Sequence, residues 1–151
     1  METAGADAVV PPRASRLRAW RARRRPRVEL GPGVRIGRGV VLRAAPGARL
    51  TVGAGAAIAD GARVEAAGGE LAIGAGAVLG ERCVVTGAVR VGEECVVGAW
   101  ARVEGGARMG ARSRLAAHAV ALAGAEIPPG AVIGSYAVVE GPVARTPRSS
   151  A

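Results

Sequence analysis

Residues 73–103 have the sequence IGAGAV LGERCV VTGAVR VGEECV VGAWAR V, in which a large apolar residue opens every block of six. The spacing continues without a slip to Val139, with Ala121 as the one small opening residue. The fifth residue of each block is small or valine. A six-residue period fits neither an α-helix, at 3.6 residues per turn, nor simple strand alternation, at two. It predicts a β-solenoid with three short faces per coil, whose interior alternates large and small side chains.

The repeat extends upstream to Leu30 with two interruptions. The steps from Leu42 to Val52 and from Val64 to Ile73 are ten and nine residues instead of six. Both follow the third block of a coil, so the extra residues fall at one corner. A solenoid tolerates insertions there because each coil contacts only its neighbours. The pattern predicts an all-β fold of about six coils, whose first large residues are Leu30, Val52, Ile73, Val91, Met109 and Ile127.

The basic residues are concentrated at the N-terminus. The chain has 21 arginines, no lysine and 12 acidic residues, for a net charge of +9. Residues 1–27 contain eight of the arginines against Glu2 and Asp7, whereas the remainder has thirteen arginines against ten acidic residues. Because the predicted solenoid is only mildly basic, its charge does not indicate a specific nucleic-acid partner.

The segment before the solenoid is predicted to contain a short Arg-rich helix. Ser15 can cap this helix and Pro26 would end it, with Leu17 and Trp20 on one face. Two interpretations stay open. The helix can cover the first coil, whose strand edges need protection, or Arg16–Arg25 can contact an acidic membrane surface.

The chain is predicted to have one folded domain. A tail and the short helix occupy residues 1–27, the β-helix domain residues 28–143, and a flexible tail residues 144–151. No stretch resembles a signal peptide or a membrane span. We therefore expect a cytoplasmic protein, which is membrane-peripheral if the Arg-rich segment contacts lipid.

The two cysteines are predicted to be reduced fillers of the core. Cys83 and Cys95 occupy small interior positions twelve residues apart, so they belong to different faces of the solenoid. This placement disfavours a disulfide and suits a reducing compartment. No spacing of cysteine or histidine typical of zinc occurs in the sequence, so no metal is expected.

One corner of the predicted solenoid collects unusual side chains. Residues eighteen apart stack in successive coils, and one column contains Arg82, Trp100, His118 and Tyr136, with the only histidine and tyrosine of the chain. One interpretation is a ladder that packs against a neighbouring subunit. The other is a ligand-binding edge, with His118 as general base between Trp100 and Tyr136. Arg82 and nearby Arg114 are then candidates to contact phosphate, because guanidinium pairs with phosphate oxygens.

Outward-facing positions predict a homo-oligomer. The residue before each block opening should face solvent, and on two faces of the solenoid it is often valine. Exposed apolar surface of this kind usually marks an interface, and a cyclic homotrimer about an axis parallel to the solenoid fits it. The valines are Val78, Val84, Val96, Val120, Val132 and Val138, whereas the third face has Arg90, Arg108 and Glu126.

The hexad pattern of residues 30–143 resembles the left-handed parallel β-helix of hexapeptide-repeat acyltransferases of the sugar O-acetyltransferase kind. The resemblance, and not the period, implies the left hand; right-handed β-helices of the bactofilin type have looser spacing. Residues 121–127, ALAGAEI, look like the family segment along the CoA groove and include Gly124. Residues 127–133, IPPGAVI, look like the turn that closes the solenoid. These segments lie a coil apart in the family, so at most one is a true alignment.

The resemblance implies an acyl-CoA-dependent acyltransferase, with acetyl-CoA or another acyl-CoA as co-substrate and a sugar or related hydroxyl or amine as acceptor. It points to polysaccharide biosynthesis. In the family, a histidine in a cleft between two subunits of a trimer takes the acceptor's proton, and His118 is the candidate here. Histidine suits the task because it titrates near neutral pH.

Two alternatives to an acyltransferase follow from departures from the family pattern. Sugar O-acetyltransferases have an Asp-His pair on a loop expected near Val103, and no Asp-His pair occurs in this sequence. A catalytically inactive scaffold or interaction protein is therefore the first alternative. A γ-type carbonic anhydrase shares the fold but needs three histidine ligands, and each chain has one histidine.

Overall fold

The computed structural model describes residues 27–143, a range made entirely of short strands and turns. Eighteen strands form three parallel six-stranded sheets, and successive strands along the chain belong to successive sheets. This arrangement confirms the all-β parallel β-helix predicted from the six-residue period. Nothing in residues 27–143 is a helix of the length and hydrophobicity that crossing a membrane requires. The predicted helix at residues 15–25 and both predicted tails lie outside the described residues.

Each sheet stacks one strand from every coil. Sheet A contains β1 (Arg27–Leu30), β4 (Arg49–Val52), β7 (Glu70–Ile73), β10 (Arg90–Val91), β13 (Arg108–Met109) and β16 (Glu126–Ile127). Sheet B contains β2 (Arg35–Ile36), β5 (Ala57–Ile58), β8 (Val78–Leu79), β11 (Val96–Val97), β14 (Arg114–Leu115) and β17 (Val132–Ile133). Sheet C contains β3 (Val41–Ala44), β6 (Arg63–Ala66), β9 (Val84–Thr86), β12 (Arg102–Val103), β15 (Val120–Ala121) and β18 (Val138–Val139).

The strand register stacks the large residues of the repeat in columns. In sheet A, Leu30 is paired with Val52, and Val91 with Met109, as the repeat predicts. Successive strand residues point to opposite faces, so the first residue of each two-residue strand points outward and the second points into the solenoid, as Arg108 and Met109 do. The interior is therefore a single apolar column along the solenoid axis.

The two interruptions of the repeat form longer strands. β3, β4, β6 and β7 have four residues each, whereas most later strands have two. These longer strands flank the corner between sheets C and A, which is the corner the sequence predicts. Their additional residues enlarge the core, since Leu50 and Leu71 are completely buried. The six-residue period shows where the extra residues lie in the sequence. They form strands because they pair with the extra residues of neighbouring coils.

At every corner of the solenoid, one residue per coil has left-handed backbone with φ between 56° and 95°, and Gly69, which follows Gly68, also has a positive φ of 153°. Corner CA, between sheets C and A, has glycine there in all six layers: Gly47, Gly68, Gly87, Gly106, Gly124 and Gly141. Corner AB has Gly33, Gly55, Gly76, Glu94, Arg112 and Gly130. Corner BC has Gly39, Gly61, Arg82, Trp100, His118 and Tyr136. Since a left-handed conformation costs an L-residue about 1–2 kcal/mol, corner BC is the most strained.

Candidate functional site

The four side chains at corner BC form one continuous stack, which we call the ladder: Arg82, Trp100, His118 and Tyr136. The Arg82 Cζ atom lies 5.4 Å from the centroid of the Trp100 ring, within the range of a cation–π contact. The Trp100 and His118 rings are 6.3 Å apart with planes 3° from parallel. The His118 and Tyr136 rings are 4.8 Å apart with planes 2° from parallel. The structure thus brings together the four residues that the sequence places in one column.

The backbone fixes the spacing of the ladder. The amide N–H of Trp100 donates to the carbonyl of Glu81, and that of His118 donates to the carbonyl of Ala99, at 2.9 and 3.0 Å. These bonds join each corner to the one below it, so neighbouring side chains leave the corner at about the 4.8 Å spacing of strands. Rings that leave successive corners can therefore stack with parallel planes, as the centroid distances of 6.3 and 4.8 Å show.

His118 is exposed at this corner. Trp100 and Tyr136 on either side of it are 54% and 73% exposed. Because both ring faces of the imidazole are stacked, a reactant reaches its nitrogens only at the ring edge. Among residues 27–143, no carboxylate forms a hydrogen bond or an ion pair with the imidazole. The described part of the chain therefore offers no acidic partner to orient this ring.

Two of the predicted binding residues lie outside the ladder. Arg114 is exposed on sheet B, four residues before His118 and on a face that adjoins corner BC. Gly124 lies at corner CA, so sheet C separates it from the ladder. The structure thus places Arg114 on the face next to the ladder but does not bring Gly124 to the same edge.

Valine-bearing faces flank the ladder on both sides. Sheet B exposes Val78 and Val132, which are 42% and 70% exposed, and sheet C exposes Val138, at 60%. Val84, Val96 and Val120 also point outward but are half-buried. Arginines interrupt each face, Arg35 and Arg114 on sheet B and Arg63 and Arg102 on sheet C. Corner BC therefore joins the two most apolar outer surfaces of the described solenoid.

Sheet A has a groove that the sequence analysis did not single out. Its volume is about 530 Å³, and its lining includes Arg90, Arg108, Glu126, Pro128, Pro142 and Val143. Arg90 and Arg108 are direct neighbours in the sheet register, and within residues 27–143 neither lies within 4.0 Å of a carboxylate. The sequence predicts that both arginines face outward. It does not predict the wall of the groove, which forms because the chain returns to sheet A and Pro142 forms a parallel β-bridge with Glu126. Sheet A is opposite corner BC, so groove and ladder are separate within one chain.

The cysteines do not provide a nucleophile. Cys83 and Cys95 are reduced and completely buried, and burial raises the pKa of the Cys83 thiol to about 12. Its thiolate, the reactive form, is therefore strongly disfavoured at neutral pH. Cys95 instead donates from Sγ to the carbonyl of Gly110, at 2.9 Å. Within the described range there is also no cluster of three potential metal-ligating side chains.

No protein-family model and no curated protein matches the sequence. Solved structures do match over 76% of the chain. A hexapeptide transferase family protein from Anaplasma phagocytophilum shares 23% identity, with a TM-score of 0.36. The acetyltransferase domain of PglB from Neisseria gonorrhoeae shares 20%, with a TM-score of 0.34. The UDP-N-acetylglucosamine acyltransferase of Arabidopsis shares 16%, with a TM-score of 0.20.

The chain spans 59%, 54% and 64% of the lengths of these three solved chains, respectively. The parallel β-solenoid of this chain rests on its own strand pairing. The strand pairing by itself does not identify the activity, substrates or partners of the chain. For these we consider the chemistry of the side chains at corner BC.

Proposed function

We propose that this protein is an acyltransferase that moves an acyl group from acyl-CoA to a hydroxyl or amine of a sugar or related acceptor. The proposal rests on one observation above the others. The only histidine of the chain stands exposed at a corner, stacked between two aromatic rings. The resemblance of the hexad repeat to hexapeptide-repeat acyltransferases supports the same reaction class.

In the proposed reaction, a His118 ring nitrogen takes the proton from the acceptor hydroxyl. The acceptor oxygen attacks the thioester carbonyl, and the C–O bond forms as the carbonyl becomes an oxyanion. Collapse of this intermediate breaks the C–S bond, and the imidazolium returns its proton to the leaving thiolate. A histidine can do both steps near neutral pH because its acid and base forms are both accessible there. Stacking on both ring faces holds the imidazole so that its edge meets the acceptor.

We expect the acyl-CoA donor to bind next to arginine side chains. Arg82 is the first member of the ladder and Arg114 lies on the adjoining face of sheet B, so both could pair with CoA phosphates. Trp100 and Tyr136 would then flank the acceptor. Arg90 and Arg108 in the sheet A groove have the same chemistry but lie opposite His118. They could contribute only from a neighbouring subunit. We propose a homotrimer that packs through the valine faces of sheets B and C, which would place the ladder of each chain next to another chain.

The second candidate function is a catalytically inactive scaffold. It is favoured by the absence of a carboxylate partner for His118 within residues 27–143 and by the missing Asp-His pair of the sequence. In this function the ladder and the valine faces form only a packing surface for a second copy or another protein. A cytoplasmic location is proposed for either function.

The test is a thiol-release assay with acetyl-CoA and a panel of sugar acceptors, together with calorimetry of CoA binding. We expect His118→Asn to lower kcat/KM by about 10²–10⁴-fold and to leave CoA binding nearly unchanged. Asparagine tolerates left-handed backbone, so this variant removes the base without adding strain. Light scattering of the same samples should give three times the 15.0 kDa monomer mass.

Arg112→Asn is the matched control, because Arg112 has the same left-handed backbone at corner AB, away from the ladder. Its activity should equal that of the wild type. If the wild type neither binds CoA nor transfers an acyl group to any acceptor, the scaffold function is correct. If His118→Asn retains activity, the base lies elsewhere and the ladder serves packing.

A further inference from the structure

The net positive charge of this chain is concentrated in the first part of its sequence. Residues 1–46 contain eleven arginines against three acidic residues, whereas residues 47–151 contain ten arginines against nine. Eight of the nine net positive charges therefore belong to the first coil and the segment that precedes it. The remaining coils, which include the ladder, are close to neutral. Within the described residues, the first coil, 27–46, has four arginines against one acidic residue, Glu29. This coil is the first layer of the stack, because consecutive coils of a solenoid are consecutive layers in space.

The described part of this region, residues 27–46, is called the N-terminal pole. Arg35, Arg38 and Arg43 are exposed on it and belong to sheet B, corner BC and sheet C, respectively. Within residues 27–143, none of the three guanidinium groups forms an ion pair within 4.0 Å, although the backbone N–H of Arg38 donates to Oδ1 of Asp60 at 2.9 Å. In the next coil, by contrast, Arg49 pairs with Glu29 at 3.4 Å. The arginines therefore lie on two faces of the first described coil and on the corner between them.

The centre of the N-terminal pole is apolar. Leu30 and Ile36 are 47% and 43% exposed, while Val52 and Ile58, which stack on them from the second coil, are 3% and 2% exposed. Val28 adds a further exposed apolar side chain, at 42%. The pole thus combines a patch of aliphatic side chains with exposed guanidinium groups on two faces and the corner between them.

We propose that the N-terminal pole docks the solenoid end-on against an anionic lipid bilayer. Guanidinium groups bind lipid phosphates and are attracted by the negative surface potential, while aliphatic side chains enter the boundary between headgroups and acyl chains. A nucleic-acid partner would use the arginines but would leave the apolar centre in water. The sequence before the pole supports the bilayer, because it adds Leu17 and Trp20 among seven further arginines, and tryptophan favours membrane interfaces.

The experiment is sedimentation of the full-length protein with vesicles of phosphatidylcholine alone, or with about 30% phosphatidylserine, at physiological salt. We expect binding only to the anionic vesicles and loss of that binding in about 0.5 M NaCl, where charges are screened over a few ångströms. The triple variant Arg35→Gln, Arg38→Gln, Arg43→Gln should partition about a hundredfold more weakly, since each arginine near the surface contributes about a fivefold effect.

The control is the triple variant Arg63→Gln, Arg90→Gln, Arg108→Gln, which has the same net charge but loses arginines from later coils. It should bind anionic vesicles nearly as well as the wild type, and thermal unfolding of both variants should show that they remain folded. Equal weakening by the two triple variants would overturn the assignment of the pole. So would equal binding to neutral vesicles, or displacement of the protein from anionic vesicles by a short RNA that the pole variant no longer binds.

Discussion

Corners CA and BC of the solenoid have the same backbone conformation but opposite side-chain content. Corner CA has glycine at the left-handed position in all six layers, whereas corner BC has glycine in the first two layers and four large side chains in the others. Left-handed backbone favours glycine by about 1–2 kcal/mol per residue. At corner BC, four successive layers thus have this unfavourable backbone conformation. Ring stacking offsets part of the free-energy cost.

The difference between the corners distinguishes the backbone conformation that the fold requires from the side chains that it tolerates. A solenoid of this period needs left-handed turns, and glycine satisfies them without strain. Side chains at such positions are candidates for a functional role, because strained backbone positions cluster at functional sites. At corner AB the two non-glycine residues, Glu94 and Arg112, form an exposed ion pair at 3.5 Å. Corner BC instead gathers the chemistry-bearing side chains, so it is the corner to test.

The largest expected effect is on the register of the coils. One alanine inserted between Gly98 and Ala99 lengthens corner BC inside the regular coils and moves every later side chain to the wrong face. The same insertion between Ala67 and Gly68 enlarges an exposed turn of corner CA, where the chain already departs from the six-residue step. We expect the first variant to lose cooperative unfolding in circular dichroism. The second should lose about 0.6 kcal/mol or less, as for a slightly longer loop.

Equal stability of these two insertion variants would show that the coils can shift register.

A smaller effect is expected within corner CA itself. A Cβ atom at Gly87 would lie 2.5 Å from the Cα atom of Gly105, whereas a Cβ atom at Gly124 would have no atom within 4 Å. Both glycines have left-handed backbone, with φ of 95° and 80°. Gly124→Ala should therefore cost about 1–2 kcal/mol through backbone strain alone. Gly87→Ala should cost about 2–5 kcal/mol, because the overlap with backbone adds to the strain.

Urea unfolding of the two glycine variants measures this difference, with Gly134→Ala as the control. A Cβ atom at Gly134 has open space and that residue has no left-handed φ, so its variant should unfold like the wild type. If Gly87→Ala and Gly124→Ala cost the same, backbone approach between coils does not contribute to the choice of glycine at this corner.

The smallest expected effect is the coupling between rings of the ladder. A double-mutant cycle with His118→Ala and Tyr136→Ala should give an interaction free energy of about 0.5–1.5 kcal/mol. The corresponding cycle of Trp100→Ala with Tyr136→Ala should give about 0.3 kcal/mol or less, since His118 lies between those rings. Unfolding free energies of the six proteins supply both values. Equal coupling in the two cycles would mean that the rings act through the backbone and not by stacking.

The fold was largely predictable from the sequence, and the site only in part. The columns that begin at Leu30 and Val52 are paired as the period predicts, because a solenoid turns a sequence interval directly into a spatial one. The same rule placed Trp100 above Arg82. It does not give ring orientation, and it did not predict that Leu50 and Leu71 extend the core at corner CA. Those outcomes depend on how neighbouring coils pair.

By itself, the sequence determined the solenoid, its three corners and the column of unusual residues at corner BC, because each follows from counting along a strictly periodic chain. Tertiary structure decided the rest. The stacking of His118 between two rings depends on side-chain torsions that local sequence does not specify. The groove of sheet A exists only because Pro142 returns to bridge Glu126. The exposure of Leu30 depends on its being in the first layer of the stack, where no described coil lies beyond it. Each of these features depends on contacts between layers. The repeat shows where along the chain these contacts occur, but it does not specify their geometry.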